Sequence, residues 1–203
     1  MYPVLDEHKV CFITAPSAFN AYTGTAINAA TQVYPYLPYQ YLSAWLKKLK
    51  MGFKTSVLDM AIDYNPWQGL GEYLKREHPK YIGLSFTTPL YYEAKLIGII
   101  AKDLLGPELV LVHGGVHASA LWNESLTDSM CDVVVTGEGE VTFGEICQGK
   151  PFSEIQGIVY REDRGRRQLF GAEEIVSRIK KGESCYDIQL GAVISDGEPS
   201  IKK

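Results

Sequence analysis

Five short apolar runs recur along the chain, and between them apolar residues recur at intervals of three and four. The runs lie at residues 9–15, 55–60, 81–86, 109–113 and 132–136. Continuous short runs are typical of strands buried on both faces, whereas the three-and-four spacing gives a helix one apolar stripe. The pattern predicts an α/β fold, a doubly wound, Rossmann-like five-stranded parallel sheet with right-handed crossovers.

The predicted helices lie between these strands. The first begins near Pro38 and ends at Gly52, since proline favours a first helical turn and glycine a helix end. Its predicted apolar stripe is Tyr41, Leu42, Trp45, Leu46 and Leu49. Further helices are predicted at about 67–78, 90–104, 118–129 and 140–148.

The pattern changes after the fifth strand. Residues 155–163 and 166–170 flank a glycine and predict a small C-terminal hairpin, and residues 171–181 predict one more helix. We therefore divide the chain into a Rossmann-like domain, 1–165, and an extension, 166–203, that is partly helical and then loosely ordered.

The composition of the chain argues against two classes of partner, nucleic acids and membranes. The chain has 203 residues, 46% of them hydrophobic, with 20 Lys and Arg against 24 Asp and Glu, a net charge of −4. The missing basic excess argues against nucleic acid as a partner. The longest apolar run is far below the roughly 20 residues that cross a bilayer, and the polar N-terminus has no signal-peptide character. We expect a cytoplasmic protein with no membrane partner.

The cysteines do not predict a metal site. Cys11, Cys131, Cys147 and Cys185 are too far apart for zinc or iron–sulfur spacing, which places ligands two to four residues apart. Cys11 and Cys131 lie in or beside apolar runs and are expected to behave as small buried hydrophobic residues. No metal ligand is predicted in the chain.

Candidate binding residues collect where the strands end. In an open parallel sheet, ligands bind beyond the carboxyl ends of the strands. Residues 85–89 carry three hydroxyl groups, while 113–119 and 136–140 each contain two glycines that expose the backbone. Each segment also has a purely structural explanation. The glycines form tight turns, the hydroxyls cap a helix, and Glu138 and Glu140 favour a helix N-terminus.

Three segments of the chain together resemble a known family. GGVHAS (114–119), TGEGE (136–140) and IQGIVYR (155–161) occur in the order found in the cobalamin-binding domain of cobalamin-dependent radical SAM enzymes. The resemblance covers about residues 9–163 and implies a Rossmann-like fold with cobalamin as cofactor.

The resemblance also implies positions for the cofactor. Ser85, Phe86 and Thr87 would line its nucleotide tail, which would run between the third and fourth strands, and Gly114 and Gly115 would let the tail approach. The corrin edge and the remaining rim would be contacted by another group of residues, namely Gly137, Glu138, Gly139, Tyr22, Thr23 and His117. His117 is expected to bond a corrin amide rather than cobalt. No catalytic residue is assigned.

Two departures from related proteins shape the functional hypothesis. Cobalamin methyltransferases and mutases carry Asp-x-His-x-x-Gly after the first strand, but residues 15–20 read APSAFN, so we expect base-off binding without that histidine. The chain also lacks the Cys-x3-Cys-x2-Cys loop of radical SAM enzymes, so no iron–sulfur cluster and no activity of the chain alone are expected. It would serve methyl transfer or radical chemistry, either as a stand-alone module for a radical SAM or methyltransferase partner or as one piece of such an enzyme.

Two other hypotheses remain open. A small flavin- or nucleotide-binding enzyme would use the same rim, although no Gly-x-Gly-x-x-Gly follows the first strand and no P-loop occurs. A degenerate Rossmann-like scaffold would have lost its ligand and would present its tyrosines to a partner. These tyrosines are Tyr22, Tyr34, Tyr36, Tyr39 and Tyr41.

Overall fold

The computed structural model describes residues 2–16, 36–63, 65–162, 177 and 201–202. It contains seven strands in a single sheet. Their bounds are β1 Asp6–Thr14, β2 Lys54–Asp59, β3 Pro79–Ser85, β4 Val110–Gly114, β5 Val133–Val135, β6 Ile158–Arg161 and β7 Ile201–Lys202.

The strand order is β2-β1-β3-β4-β5-β6-β7. The first five strands are parallel, whereas β6 runs antiparallel to β5, and β7 antiparallel to β6. This confirms the doubly wound, Rossmann-like α/β fold and its five parallel strands. Strand β1 lies between β2 and β3. The chain passes from β1 to β2 on one side and then crosses to β3 on the other side, so the strand order reverses between β1 and β3.

Helices follow each parallel strand. They are α1 Leu37–Lys48, α2 Pro66–Glu77, α3 Tyr91–Leu105, α4 Gly115–Ala120, α5 Trp122–Asp128 and α6 Glu140–Cys147. Single 3₁₀ turns occupy Met60–Ile62, Thr88–Leu90 and Phe152–Glu154. Pro38 and Pro66 lie in the first turns of α1 and α2, where a missing N–H costs nothing.

The sheet separates two apolar cores. Side chains alternate along each strand, so Ile82 and Leu84 of β3 pack on one face while Tyr81 packs on the other. The face covered by α2, α3, α4 and α5 holds the larger core, which we call the closed face. The face covered by α1 and α6 we call the open face.

Several sequence predictions need correction. The helix expected at 118–129 is two helices, α4 and α5, separated at Leu121. Tyr41 was expected in the apolar stripe of α1 but is 61% exposed, and Tyr39 is buried instead. The burial of Cys11 and Cys131 is confirmed.

Other predictions concern residues outside the described ranges. These are the second hairpin strand at 166–170, the helix at 171–181, Cys185, Tyr34 and most of the loop at 17–36. Strand β6 lies within the predicted strand 155–163, and its partners are β5 and β7. The domain boundary at residue 165 stays a prediction. Within the described ranges, none of the helices has the length and apolar character of a membrane span.

Candidate functional site

A cleft of about 300 Å³ opens on the open face, at the carboxyl ends of the parallel strands. We call it the carboxyl-end cleft. Its floor is formed by buried residues, Phe12, Tyr39, Gly83, Val112, Val135 and Phe143. Its mouth is formed mainly by more exposed residues, Leu37, Tyr41, Ser85, Gly114, Gly115, Gly137, Glu138, Gly139 and Glu140. The volume is at the lower end of the range for small-molecule sites.

The packing of α1 against α6 limits the cleft to one end of the sheet. Gly144 of α6 has no side chain, and a methyl group there would lie 2.9 Å from Nε1 of Trp45. The two helices therefore meet closely at Gly144, whereas their first turns line the cleft. Gly83 lets the Phe12 ring pack directly on the backbone of β3 at the floor of the cleft, because a methyl group there would lie 2.8 Å from Cδ1 of Phe12.

Tyr39 holds the wall of the cleft in place. Its hydroxyl donates to the carbonyl of Ile13 over 2.7 Å and accepts from the Ser85 N–H over 3.0 Å. Its ring stacks on Phe12, with the centroids 5.0 Å apart. Burial raises the pKa of this phenol, which stays neutral. The hydroxyl therefore joins the ends of β1 and β3 and is already occupied by backbone groups.

The cleft changes from apolar to polar between floor and mouth. The buried floor contributes aromatic rings and valines, and Phe12 lies 5.4 Å from Phe143 between ring centroids. At the mouth, Ser85 shares a 3.1 Å hydrogen bond between its Oγ and the Tyr36 hydroxyl. Glu138 and Glu140 are the charged residues among the described lining, which includes no lysine or arginine. The site suits a ligand with an apolar end and a polar, uncharged or cationic end.

Two mouth glycines have backbone conformations that favour glycine. Gly115 has φ +84° and Gly137 has φ +78°, both in the left-handed region. A methyl group on Gly115 would also lie 2.5 Å from Oγ of Ser85. At Gly114 a methyl group would meet nothing closer than the Val135 carbonyl at 4.0 Å. Gly114 therefore leaves free space at the mouth, whereas Gly115 is needed for the turn into α4.

The structure brings together most of the predicted rim residues. Ser85, Gly114, Gly115, Gly137, Glu138 and Gly139 all line the carboxyl-end cleft. Thr87 is exposed and does not line it, and Tyr22 and Thr23 lie outside the described residues.

Phe86 and His117 lie away from the cleft, in the core of the closed face. The His117 ring stacks on Tyr91 at 4.6 Å and lies 5.3 Å from Phe86, between centroids. Its Nδ1 is 3.2 Å from Oγ1 of Thr88, and its Nε2 is 3.7 Å from Glu124. Burial lowers its pKa, while Glu124 acts in the opposite direction. This geometry gives His117 a role in joining α4 to the turn after β3.

None of the chain's four histidines lines the cleft. His8 is exposed and lies 5.8 Å from Phe53, and His78 ends α2 in the left-handed conformation. His113 is fully buried, with its ring perpendicular to Phe86. An imidazole ligand at the described lining is therefore not available from this chain.

Sequence reasoning missed the floor of the cleft. Phe12 and Phe143 look like ordinary core residues, and nothing in their spacing distinguishes them. The available signal was Gly83, since a glycine inside an apolar strand often marks a close approach of a ligand or backbone. Tyr39, which the scaffold hypothesis places among the tyrosines presented to a partner, is 1% exposed.

A second groove lies at the opposite, amino end of the strands, also on the open face. It is lined by Lys80, Lys150, Arg161 and other residues. These cations already have partners, since Lys80 lies 3.4 Å from Glu7 and Lys150 lies 2.7 Å from Glu145. Arg161 donates to the carbonyl of Leu126 over 3.0 Å. Nothing there favours a ligand over the ion pairs already made.

Comparisons with known proteins relate the fold to one group of enzymes. The chain is similar to TsrM from Kitasatospora setae, a radical S-adenosylmethionine methyltransferase solved with cobalamin and a [4Fe-4S] cluster bound. The TM-score is 0.61 at 19% identity, over 81% of this chain and 29% of that one. It is also similar to OxsB, a cobalamin-dependent S-adenosylmethionine radical enzyme solved with aqua-cobalamin, with a TM-score of 0.56 at 19% identity over 86% of this chain and 25% of that one.

One curated sequence relative adds to this. An uncharacterized methyltransferase of Pyrococcus horikoshii is 28% identical over 112 residues, which cover 53% of this chain and 24% of that protein. No protein-family profile matches the chain. The chain thus spans about a quarter to a third of the length of these proteins. At this identity the structural comparisons establish that the chain shares its fold with part of TsrM and part of OxsB.

Proposed function

We propose that the chain is a cobalamin-binding module that holds the corrinoid base-off at the carboxyl-end cleft. The observation that carries the proposal is the cleft itself, which has an aromatic floor beneath a glycine-lined mouth at the strand ends. Solved proteins of the same fold hold cobalamin. The base of the nucleotide tail would occupy the floor, and the corrin ring would lie over the mouth.

The residues present fit this group. A corrin edge carries uncharged amide side chains, which can donate to the carboxylate of Glu138 and to backbone carbonyls at the mouth. Gly114 and Gly139 leave the backbone accessible there, because neither has a Cβ. A flat aromatic base matches a floor where the Phe12 ring centroid lies 5.0 Å from that of Tyr39 and 5.4 Å from that of Phe143.

The base-off part of the proposal rests on the positions of the histidines, none of which lines the cleft. His117 is the nearest candidate in sequence, but its side chain is 1% exposed and packs against Tyr91 on the closed face. The chain would therefore hold the cofactor without a histidine on cobalt. The tail base would be removed from the metal because the floor of the cleft buries it.

The proposed biological role is to present the cofactor to catalytic machinery. When bound, cobalamin would supply methyl-transfer or radical chemistry to a partner or a missing catalytic domain. The residues of this chain would bind and orient the cofactor and exclude water from its tail. We propose a radical SAM or methyltransferase protein as the partner and the cytoplasm as the location.

Charge at the mouth argues against the flavin and nucleotide alternative, because the terminal phosphates or pyrophosphates of those cofactors carry more negative charge than the single phosphodiester of cobalamin. The phosphates of those cofactors normally meet basic side chains or a well-exposed helix N-terminus. Here Glu138 and Glu140 flank the mouth, and Glu140 begins α6. The scaffold alternative is weakened in turn because Tyr39, one of its proposed surface tyrosines, is buried.

A visible absorption titration with hydroxocobalamin, followed by gel filtration, tests the proposal. We expect coloured protein to elute with a base-off spectrum. Gly114→Trp should abolish this binding, because an indole would fill the mouth without displacing the backbone. Gly71→Trp is the matched control, since Gly71 lies on α2 at the closed face with open space around it. Failure of the wild-type protein to retain any corrinoid would contradict the proposal, as would equal binding by Gly114→Trp.

A further inference from the structure

Among the described residues, the floor of the carboxyl-end cleft offers no free polar side chain to a buried base. Val112, Val135 and Phe143 are 3 to 5% exposed and carry no hydrogen-bonding side-chain atoms. The Tyr39 hydroxyl is the polar side-chain group at this depth, and it already serves Ile13 and Ser85. The other polar side chains of the described lining, Tyr41, Ser85, Glu138 and Glu140, belong to the mouth.

Corrinoids differ in the base at the end of the nucleotide tail. Cobalamin carries 5,6-dimethylbenzimidazole, whose outer edge is two methyl groups. In another cobamide the base is adenine, whose corresponding edge carries a ring nitrogen and an amino group. Buried without partners, such groups lose their bonds to water and weaken binding.

We infer that the cleft selects cobamides by this base, and that it prefers benzimidazole-type bases to adenine. The inference rests on the proposed function and deepens it by naming the corrinoid class. Val112 and Val135 are the specificity-determining residues, since they are the aliphatic side chains of the floor that a hydroxyl could replace at constant size.

The size of the preference follows from the cost of unpaired polar groups. An apolar pocket rejects a ligand of similar shape that adds polar atoms by about 10- to 100-fold. We therefore expect the dissociation constant of the adenine cobamide to exceed that of cobalamin by about 10-fold or more. Cobinamide, which lacks the nucleotide, should also bind more weakly than cobalamin, because it leaves the floor empty.

The test measures dissociation constants for cobalamin, the adenine cobamide and cobinamide by absorption titration. Val112→Thr, with Val135→Thr as a second variant, adds a hydroxyl to the floor and should reduce the preference for cobalamin over the adenine cobamide. Val110→Thr is the matched control, because Val110 lies on the same strand and face, two residues before Val112, and does not line the cleft.

The outcomes separate the inference from the proposed function. A preference that falls in either floor variant and stays unchanged in Val110→Thr supports the inference. Equal affinity of the wild-type protein for both cobamides would overturn it while leaving cobalamin binding intact. Cobinamide binding as tight as cobalamin would overturn it as well, since the base would then contribute nothing. Binding of none of the three corrinoids would overturn the proposed function itself.

Discussion

The two faces of the sheet differ in the size of the side chains that lie near the carboxyl ends of the strands. On the open face, β3 and β4 end with smaller side chains than they begin with: Tyr81, Gly83, Ser85 on β3, then Val110, Val112, Gly114 on β4. Beyond the end of β5, Gly137 likewise has no side chain. On the closed face β3 keeps Ile82 and Leu84 to its end, and four helices cover them. The cleft thus forms where the ends of the strands carry small side chains and where two of the described helices, α1 and α6, cover the sheet.

The closed face also buries charge, which the open face avoids. Lys102 of α3 lies 2.7 Å from Asp132, and Asp132 accepts the Leu111 N–H over 2.7 Å. Lys95 similarly pairs with Asp128 over 2.7 Å. These groups fix α3 against the start of β5 and the end of α5. The comparison teaches that the closed face supplies rigidity and the open face supplies the site.

Removing the buried carboxylate should have the largest effect on stability. Asp132→Ala leaves the Lys102 ammonium and the Leu111 N–H without this partner in a buried place. We expect a loss of about 3–5 kcal/mol in the free energy of unfolding, measured by urea denaturation. Glu154→Gln, at an exposed position, is the control and should change stability by less than about 0.5 kcal/mol. A loss under about 1 kcal/mol for Asp132→Ala would mean that the closed face is not held by this pair.

Two glycine variants, one on each face, compare how the faces contribute to stability and to cobalamin affinity. Gly83→Ala places a methyl group 2.8 Å from the Phe12 ring, which is held by Tyr39 and Phe143. We expect a loss of about 1–3 kcal/mol and weaker cobalamin binding.

Gly98→Ala provides the comparison on the closed face. Its methyl group would meet the flexible end of Leu111 at 2.8 Å, and alanine favours the helix by about 1 kcal/mol. Stability should therefore change little, and cobalamin affinity should not change. Equal effects of the two variants on cobalamin affinity would contradict the separation of the faces.

Tyr39→Phe tests whether the cleft wall depends on one hydroxyl. The variant keeps the ring stacked on Phe12 but leaves the Ile13 carbonyl and Ser85 N–H without this bond. We expect a loss of about 1–3 kcal/mol in unfolding free energy, together with weaker cobalamin binding. Tyr73→Phe removes a hydroxyl that donates to Ser56 Oγ over 2.6 Å on the closed face. It should cost about 1 kcal/mol and leave cobalamin affinity unchanged.

The smallest expected effect is a pH dependence from His117. Burial lowers its folded pKa below the usual 6.5, so the unfolded chain binds this proton first as the pH falls. The stabilisation is therefore complete above about pH 6.5 and is lost as the pH falls through the folded pKa. His117→Gln should flatten the decline in stability between about pH 7.5 and about pH 5. An unchanged slope in His117→Gln would exclude this histidine as the cause.

Much of the fold could be predicted from the sequence, because buried parallel strands and amphipathic helices leave strong periodic signals. The split between α4 and α5 was missed because Leu121 is apolar and carries no breaking signal. Of the site, the mouth was predictable, since glycines and hydroxyls concentrate at strand ends. The floor was not, because Phe12 and Phe143 come together only through tertiary packing. The position of His117 on the closed face likewise depends on the turn of α4.

The most direct test of the central claim is a crystal structure grown with hydroxocobalamin, with anomalous data collected at the cobalt edge. The account predicts a single cobalt peak beyond the carboxyl ends of the strands, over Gly114 and Gly137, with the benzimidazole resting on the floor formed by Phe12 and Phe143. A cobalt peak at the groove near Lys80 and Lys150 would contradict it. So would a corrinoid at the mouth whose base stays on cobalt and leaves the floor of the cleft empty.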